Sequence, residues 1–138
     1  MARKKSQPIA VLVVDDQPEQ REGFRNLIDS QDDMTVVGEA GDGAAALAFA
    51  RRHALDVIVM DVRMPRVNGL VATKRITHDS QVASLGTVPR IIVTTALERD
   101  ELVPSAVEAG AYAMLYKDAH PEALLETIRG AAVFAGDE

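Results

Sequence analysis

The sequence predicts an α/β domain built on a doubly wound, five-stranded parallel sheet. Three observations point there. Short apolar runs alternate with amphipathic stretches along the whole chain. The runs are rich in Val and Ile, are too short for helices, and lack the apolar/polar alternation of a half-exposed strand, as strands buried on both faces do. Finally, 47% of the residues are apolar but only 4% are aromatic, with no Trp. The core must therefore be made of Val, Ile, Leu and Ala, which suits a parallel sheet covered by Ala-rich helices.

The 138 residues fit one compact domain. Residues 1–8 form a basic tail expected to be disordered, residues 9–133 the domain, and residues 134–138 the start of a linker. The strands are expected at Ile9–Val14, Met34–Glu39, Ala54–Met60, Arg90–Thr94 and Tyr112–Tyr116. Pro18 suits the first turn of the first helix, and Phe24, Leu27 and Ile28 give it an apolar stripe. Asp42 can cap a second helix, Gly43–Arg52, nearly pure alanine on one face. Asn68 can cap a third, which starts at Gly69 and carries Leu70 and Ile76. The fourth is expected from Glu98 to Ala109, ended by Gly110 at the C′ position. Pro104 falls inside it and cannot donate a helical N–H, so that helix should start late or kink near Pro104. The fifth has His120 or Asp118 before it, Pro121 at N1, Glu122 in its first turn, and a stripe of Leu124, Leu125 and Ile128. His78–Val88 is the longest polar stretch and is expected to be an extended loop. The order βαβαβαβαβα implies right-handed crossovers with helices on both faces.

Several function classes fall away on composition. There is no Cys, hence no disulfide, thiolate metal site or Cys nucleophile. His53, His78 and His120 are too dispersed for a zinc site. No apolar run approaches the roughly 20 residues of a membrane helix. The basic N-terminus precedes only IAVLVV before Asp15-Asp16, unlike a secretory signal, so a cytoplasmic protein is expected. The net charge of −6 argues against this chain alone gripping DNA.

The chemistry converges at one edge of the predicted sheet. Asp15-Asp16 ends the first strand, Asp61 the third, Thr95 the fourth and Lys117 the fifth. In such sheets ligands bind beyond the carboxyl ends of the strands, where the strand order reverses. Each residue taken alone reads as a cap, a turn former or a solvated charge, but four such coincidences at strand ends do not. Three neighbouring carboxylates repel unless a cation joins them, and hard oxygen ligands at an open site suit Mg²⁺ or Mn²⁺. A carboxylate is also a competent nucleophile for phosphoryl transfer, which needs mainly positioning and charge neutralisation.

These segments, VLVVDDQP, VVGEAGDGAAAL, DVIVMDVRMPRVNGL, PRIIVTTA and AGAYAMLYKD, resemble the receiver domain of two-component response regulators from about Ile9 to Ala132. VVGEAGDG and Lys117-Asp118 resemble the NarL/FixJ-type (LuxR-family transcription regulator) subfamily. The resemblance implies a flavodoxin-like (βα)5 fold with strand order 2-1-3-4-5. It further implies that Asp61 is phosphorylated from a sensor histidine kinase. Asp16, Asp61 and the backbone carbonyl of Arg63 would bind Mg²⁺ directly, and Asp15 through water. Thr95, chosen over Thr94 by its spacing to Gly110 and Lys117, would contact the phosphoryl group together with Lys117. Activity would be limited to self-catalysed phosphoryl acceptance and autodephosphorylation. Phosphorylation would bring homodimerisation and control of DNA through a C-terminal helix-turn-helix domain that this chain does not contain.

Two departures bear on signalling, beside two positions that bear on phosphate lifetime. The strand-five position where the family has a switching aromatic is Met114, flanked by Tyr112 and Tyr116, which alternation should turn to the same face. Pro104 interrupts the helix that would relay the signal. By the same resemblance, Arg63 and Leu97 sit where family members tune phosphate lifetime, and a long Arg with an apolar Leu would imply slow self-dephosphorylation. The alternatives are a phosphate-independent docking module and a stand-alone single-domain receiver. A HAD-type phosphatase would need a second carboxylate where Arg63 stands. A dinucleotide-binding domain would need its glycines after the first strand, whereas Gly38, Gly41 and Gly43 follow the second and read as a tight strand-to-helix turn.

Overall fold

The structure, a computed structural model, describes residues 7–96 and 103–136, without the side chains of 103 and 133–136. Most of the expected N-terminal tail, Leu97, and the first part of the helix expected from Glu98 lie outside the described residues.

Five parallel strands form one sheet in the order β2-β1-β3-β4-β5. They are β1 (Ile9–Val14), β2 (Met34–Ala40), β3 (Val57–Asp61), β4 (Arg90–Thr95) and β5 (Ala113–Tyr116). The helices are α1 (Pro18–Asp29), α2 (Gly43–Arg52), α3 (Gly69–Thr77), α4 (Ser80–Ala83), α5 (Ala106–Ala109) and α6 (Pro121–Gly136). The three central strands are almost wholly buried, while the edge strand β5 is only half-buried. This explains why β1, β3 and β4 read as continuous apolar runs. Period-two alternation splits their side chains between two cores. Leu12, Val14, Ile58, Met60, Ile91 and Val93 pack with α2, α3, α4 and α5. Val11, Val13, Val57, Val59 and Ile92 pack with Ile28 of α1 and Leu124, Leu125 and Ile128 of α6. No helix among the described residues is long and apolar enough to cross a membrane.

Several boundaries differ from the sequence reading. Strands β2, β3 and β4 each run one residue further than expected, to Ala40, Asp61 and Thr95. The ladder persists there: the Val62 N–H donates to the Thr94 carbonyl at 2.9 Å. Strand β3 starts at Val57 rather than Ala54, because the Asp56 carboxylate accepts the Ala10 N–H at 2.8 Å and closes the sheet's amino-terminal edge. The expected loop His78–Val88 contains α4: Asp79 accepts the Val82 N–H at 3.0 Å, and Val82 is buried. Asp79 also pairs with Arg51 at 2.6 Å, tying this turn to α2. Pro104 behaves as expected, lying in a 3-10 turn, Val103–Ser105, that leads into α5. Gly110 ends α5 with a left-handed φ of 101°, which glycine adopts without strain.

The β1/β2 pairing contains a bulge. Val11 pairs with Val36 and Leu12 with Gly38, leaving Val37 as the extra residue, 45% exposed. A Cβ at Gly38 would fall 2.5 Å from the Phe49 ring. Gly38 is therefore not part of the strand-to-helix turn; it makes room for α2 against the bulged strand.

Candidate functional site

The residues predicted for the acidic cluster and its partners lie at the carboxyl edge of the sheet, whereas Tyr112, Met114 and Pro104 do not. Asp15 and Asp16 follow β1, Asp61 and Thr95 close β3 and β4, and Lys117 follows β5. Between β1 and β3 the chain changes direction across the sheet, so this edge is the topological switch point.

Carboxylate oxygens of Asp15, Asp16 and Asp61 lie within 4.8 Å of one another. Asp15 and Asp61 are buried, whereas Asp16 is exposed. Lys117 Nζ donates to Asp15 Oδ2 at 2.7 Å and stands 3.4 Å from Asp61 Oδ1. One ammonium thus serves two carboxylates, and the Lys117 N–H is itself anchored to the Thr95 carbonyl at 2.8 Å. The Asp61 carboxyl is pushed up to about 6, chiefly by burial and then by the charge of Asp15. Lys117 and the Arg63 N–H, 3.4 Å from Asp61 Oδ1, pull it back only in part.

Three carboxylates against one ammonium leave a deficit of positive charge. The donors are hard oxygens at an edge open to solvent through Asp16, so the residues present fit Mg²⁺ or Mn²⁺. A softer, nitrogen- or sulfur-seeking metal would find none of its preferred ligands in this cluster.

The loop after β3 shapes the cradle around Asp61. The Val67 N–H donates to the Pro65 carbonyl at 2.7 Å, a tight turn in which Arg66 takes a left-handed φ of 68°. Asn68 then caps α3, its side chain accepting the N–H groups of Leu70 at 2.9 Å and Val71 at 3.0 Å. Gly69 donates its N–H to the Val62 carbonyl at 2.7 Å and passes so close to Asp61 that any Cβ would collide with the Asp61 carbonyl. A glycine immediately after a helix cap was the available sequence signal, but nothing local shows that its neighbour is the Asp61 backbone.

The two candidate threonines diverge. Thr94 shares its face with Ile92, and its hydroxyl is 3.5 Å from the Met60 carbonyl. Thr95 is fully buried and opposes Tyr116 in the β4/β5 register. Among the switch candidates, Met114 opposes Val93 and is half-buried. Tyr112 does not share its face: it packs with Leu115 against the core on the α1/α6 side. Strand β5 begins only at Ala113, so alternation does not extend back to Tyr112, whose N–H bonds the Ile91 carbonyl at 2.8 Å. The sequence reading also passed over Arg21, which donates to the Asp15 carbonyl oxygen at 2.6 Å.

The sequence matches the response regulator receiver domain over residues 11–129, and the chain belongs to that family. It is 44% identical over 126 residues to the uncharacterized transcriptional regulatory protein YxjL of Bacillus subtilis, covering 90% of this chain and 54% of that protein. It is 38% identical over 125 residues to the nitrate/nitrite response regulator protein NarP of Escherichia coli, covering 91% of this chain and 55% of NarP. Among solved structures, the response regulator domain of Thermotoga maritima CheB is 34% identical with a TM-score of 0.79, over 91% of this chain and 97% of that one. The chain spans about half the length of the curated relatives it matches.

Proposed function

We propose that this chain is the phosphoacceptor module of a cytoplasmic two-component transcription regulator, with Asp61 as the acceptor. The observation that supports this best is the cluster itself: three carboxylates from two strands, with Lys117 reaching across Asp15 and Asp61. An ionised Asp61 oxygen attacks the phosphorus of a kinase phosphohistidine. The P–N bond breaks, its electron pair stays on the ring nitrogen, and the leaving imidazole is neutral because its other nitrogen already carries a proton or because the freed nitrogen takes one from water. Asp16, Asp61 and the Arg63 carbonyl, with Asp15 through water, would hold Mg²⁺, which when bound neutralises charge between the acceptor and the incoming phosphoryl oxygens. Lys117 would shift from its pairing with Asp15 to a phosphoryl oxygen, and the Thr95 hydroxyl would take another.

The output in this reading is DNA control through a domain beyond this chain, in keeping with the transcriptional regulatory proteins among its relatives. Phosphorylation would promote homodimerisation, and Arg63 would slow hydrolysis. The test is to treat the protein with a small phosphodonor or beryllofluoride, with and without Mg²⁺. Intact mass and oligomeric state are then followed beside Asp61→Asn. The expected result is an adduct that needs both Mg²⁺ and Asp61. Lack of any adduct on the parent chain would favour a phosphate-independent docking module instead.

A further inference from the structure

Arg21 lies outside the acidic cluster but grips its backbone. Its Nη1 donates to the Asp15 carbonyl oxygen at 2.6 Å, while its Nε donates to Glu39 Oε1 at 3.1 Å. The other Glu39 oxygen accepts from Arg25 Nη1 at 2.6 Å. That hydrogen bond, above all, holds the Glu39 carboxyl below its ordinary range, so Glu39 stays ionised and keeps the Arg21 fork oriented.

The Asp15 carbonyl belongs to the peptide that joins Asp15 to Asp16. Every other polar group of Asp15 is already engaged. Its N–H donates to the Ala40 carbonyl at 3.1 Å, Oδ1 accepts the Gln17 N–H at 3.0 Å, and Oδ2 accepts from Lys117. Arg21 fixes the one remaining group, and with it the plane of the Asp15–Asp16 peptide. Asp16 is exposed and, among the described residues, makes no side-chain hydrogen bond of its own. Its carboxylate nevertheless sits within reach of Asp15 and Asp61, so the backbone must aim it.

We infer that Arg21 is a positioning residue for the metal site: its fork locks the Asp15–Asp16 peptide and so directs Asp16 toward the cation, with Glu39 holding the fork in place. The inference rests on reading the acidic cluster as a divalent-cation site. Arg21 and Arg25 share Glu39, and Arg25 also pairs with Asp29, so two carboxylates balance the two arginines and the effect is geometric rather than electrostatic. A lysine at position 21 would keep the charge, but its compact ammonium lacks the planar fork that serves both oxygens.

The experiment measures Mn²⁺ affinity by electron paramagnetic resonance and Mg²⁺ affinity by calorimetry, beside metal-free thermal unfolding. Both Arg21→Lys and Arg21→Met are expected to weaken Mn²⁺ binding about 10-fold, the scale seen when groups supporting a ligand are lost. Their unfolding midpoints should move by only a few degrees, since part-exposed ion pairs add little stability. Glu39→Gln should weaken binding by a smaller factor, and Arg52→Met, exposed on α2, should leave it unchanged. Parental affinity in Arg21→Lys would overturn the inference, because charge alone would then suffice. If Arg21→Met does not fold, Arg21→Lys and Glu39→Gln decide the matter. A parent chain that binds no Mn²⁺, or an Asp16→Asn variant that binds as the parent does, would remove the cation-site reading and the inference with it.

Discussion

Asp61 combines two demands that oppose each other. Burial would keep water from a phosphoacceptor at this position, but it also raises the carboxyl to about 6 from an ordinary 3.8. A carboxyl with a raised folded-state value holds its proton longer in the native chain than in the unfolded one. Stability therefore falls as pH rises from 3.8 through about 6, and the full loss persists above that window. Asp61→Asn cannot ionise, so in metal-free buffer it should be more stable than the parent at pH 8, by about 1–2 kcal/mol once the site's partial solvation is allowed for. The advantage should shrink toward pH 4. Urea denaturation at both pH values checks this, and a difference independent of pH would count against it. At the proposed cation site Mg²⁺ would need the carboxylate, so calorimetric affinity should drop as pH falls below about 6.

At the scale of elements, the start of α3 is where fold and site share atoms. Gly69 → Ala would push a methyl into the Asp61 carbonyl, so the strand end must move. We expect a loss of about 1–3 kcal/mol together with markedly slower phosphorylation. Asn68→Ala removes the cap to Leu70 and Val71 and should cost about 1 kcal/mol while leaving phosphorylation close to the parental rate. Denaturation curves and phosphodonor kinetics on the pair separate the two effects; equal slowing in both variants would mean that helix stability, not the Asp61 backbone, is what matters. The sequence made α3 readable because a cap, a small residue and a periodic apolar face are all local signals. The turn α4 was hidden because its one buried residue, Val82, sits in a polar run and gains its meaning from contact with α2.

Over the whole molecule, what could be read was whatever a buried parallel sheet writes locally. Strands β1, β3 and β4 are apolar because both faces are covered, and the residues that end them are conspicuous because polarity begins there. What could not be read depends on partners distant in sequence. Asp56 closes against Ala10, 46 residues away, and Arg21 finds Glu39 at a separation of 18. No periodicity announces either. Tyr112 misled for the opposite reason, since a valid local rule was applied one residue outside the strand. The bulge at Val37 is another such feature, and it bears on how the protein behaves in a crowded solution. Strand β2 is an outer strand, and a smooth one would offer its unpaired N–H and C=O groups to any neighbouring chain. The extra residue breaks the regular spacing of those groups and sharpens the local twist. Deleting Val37 should leave the Val36 and Gly38 pairings with β1 intact while straightening the edge. The expected outcome is a folded domain that self-associates at concentrations where the parent stays dispersed, visible by sedimentation velocity; equal dispersion of the two would show that the bulge has no protective role.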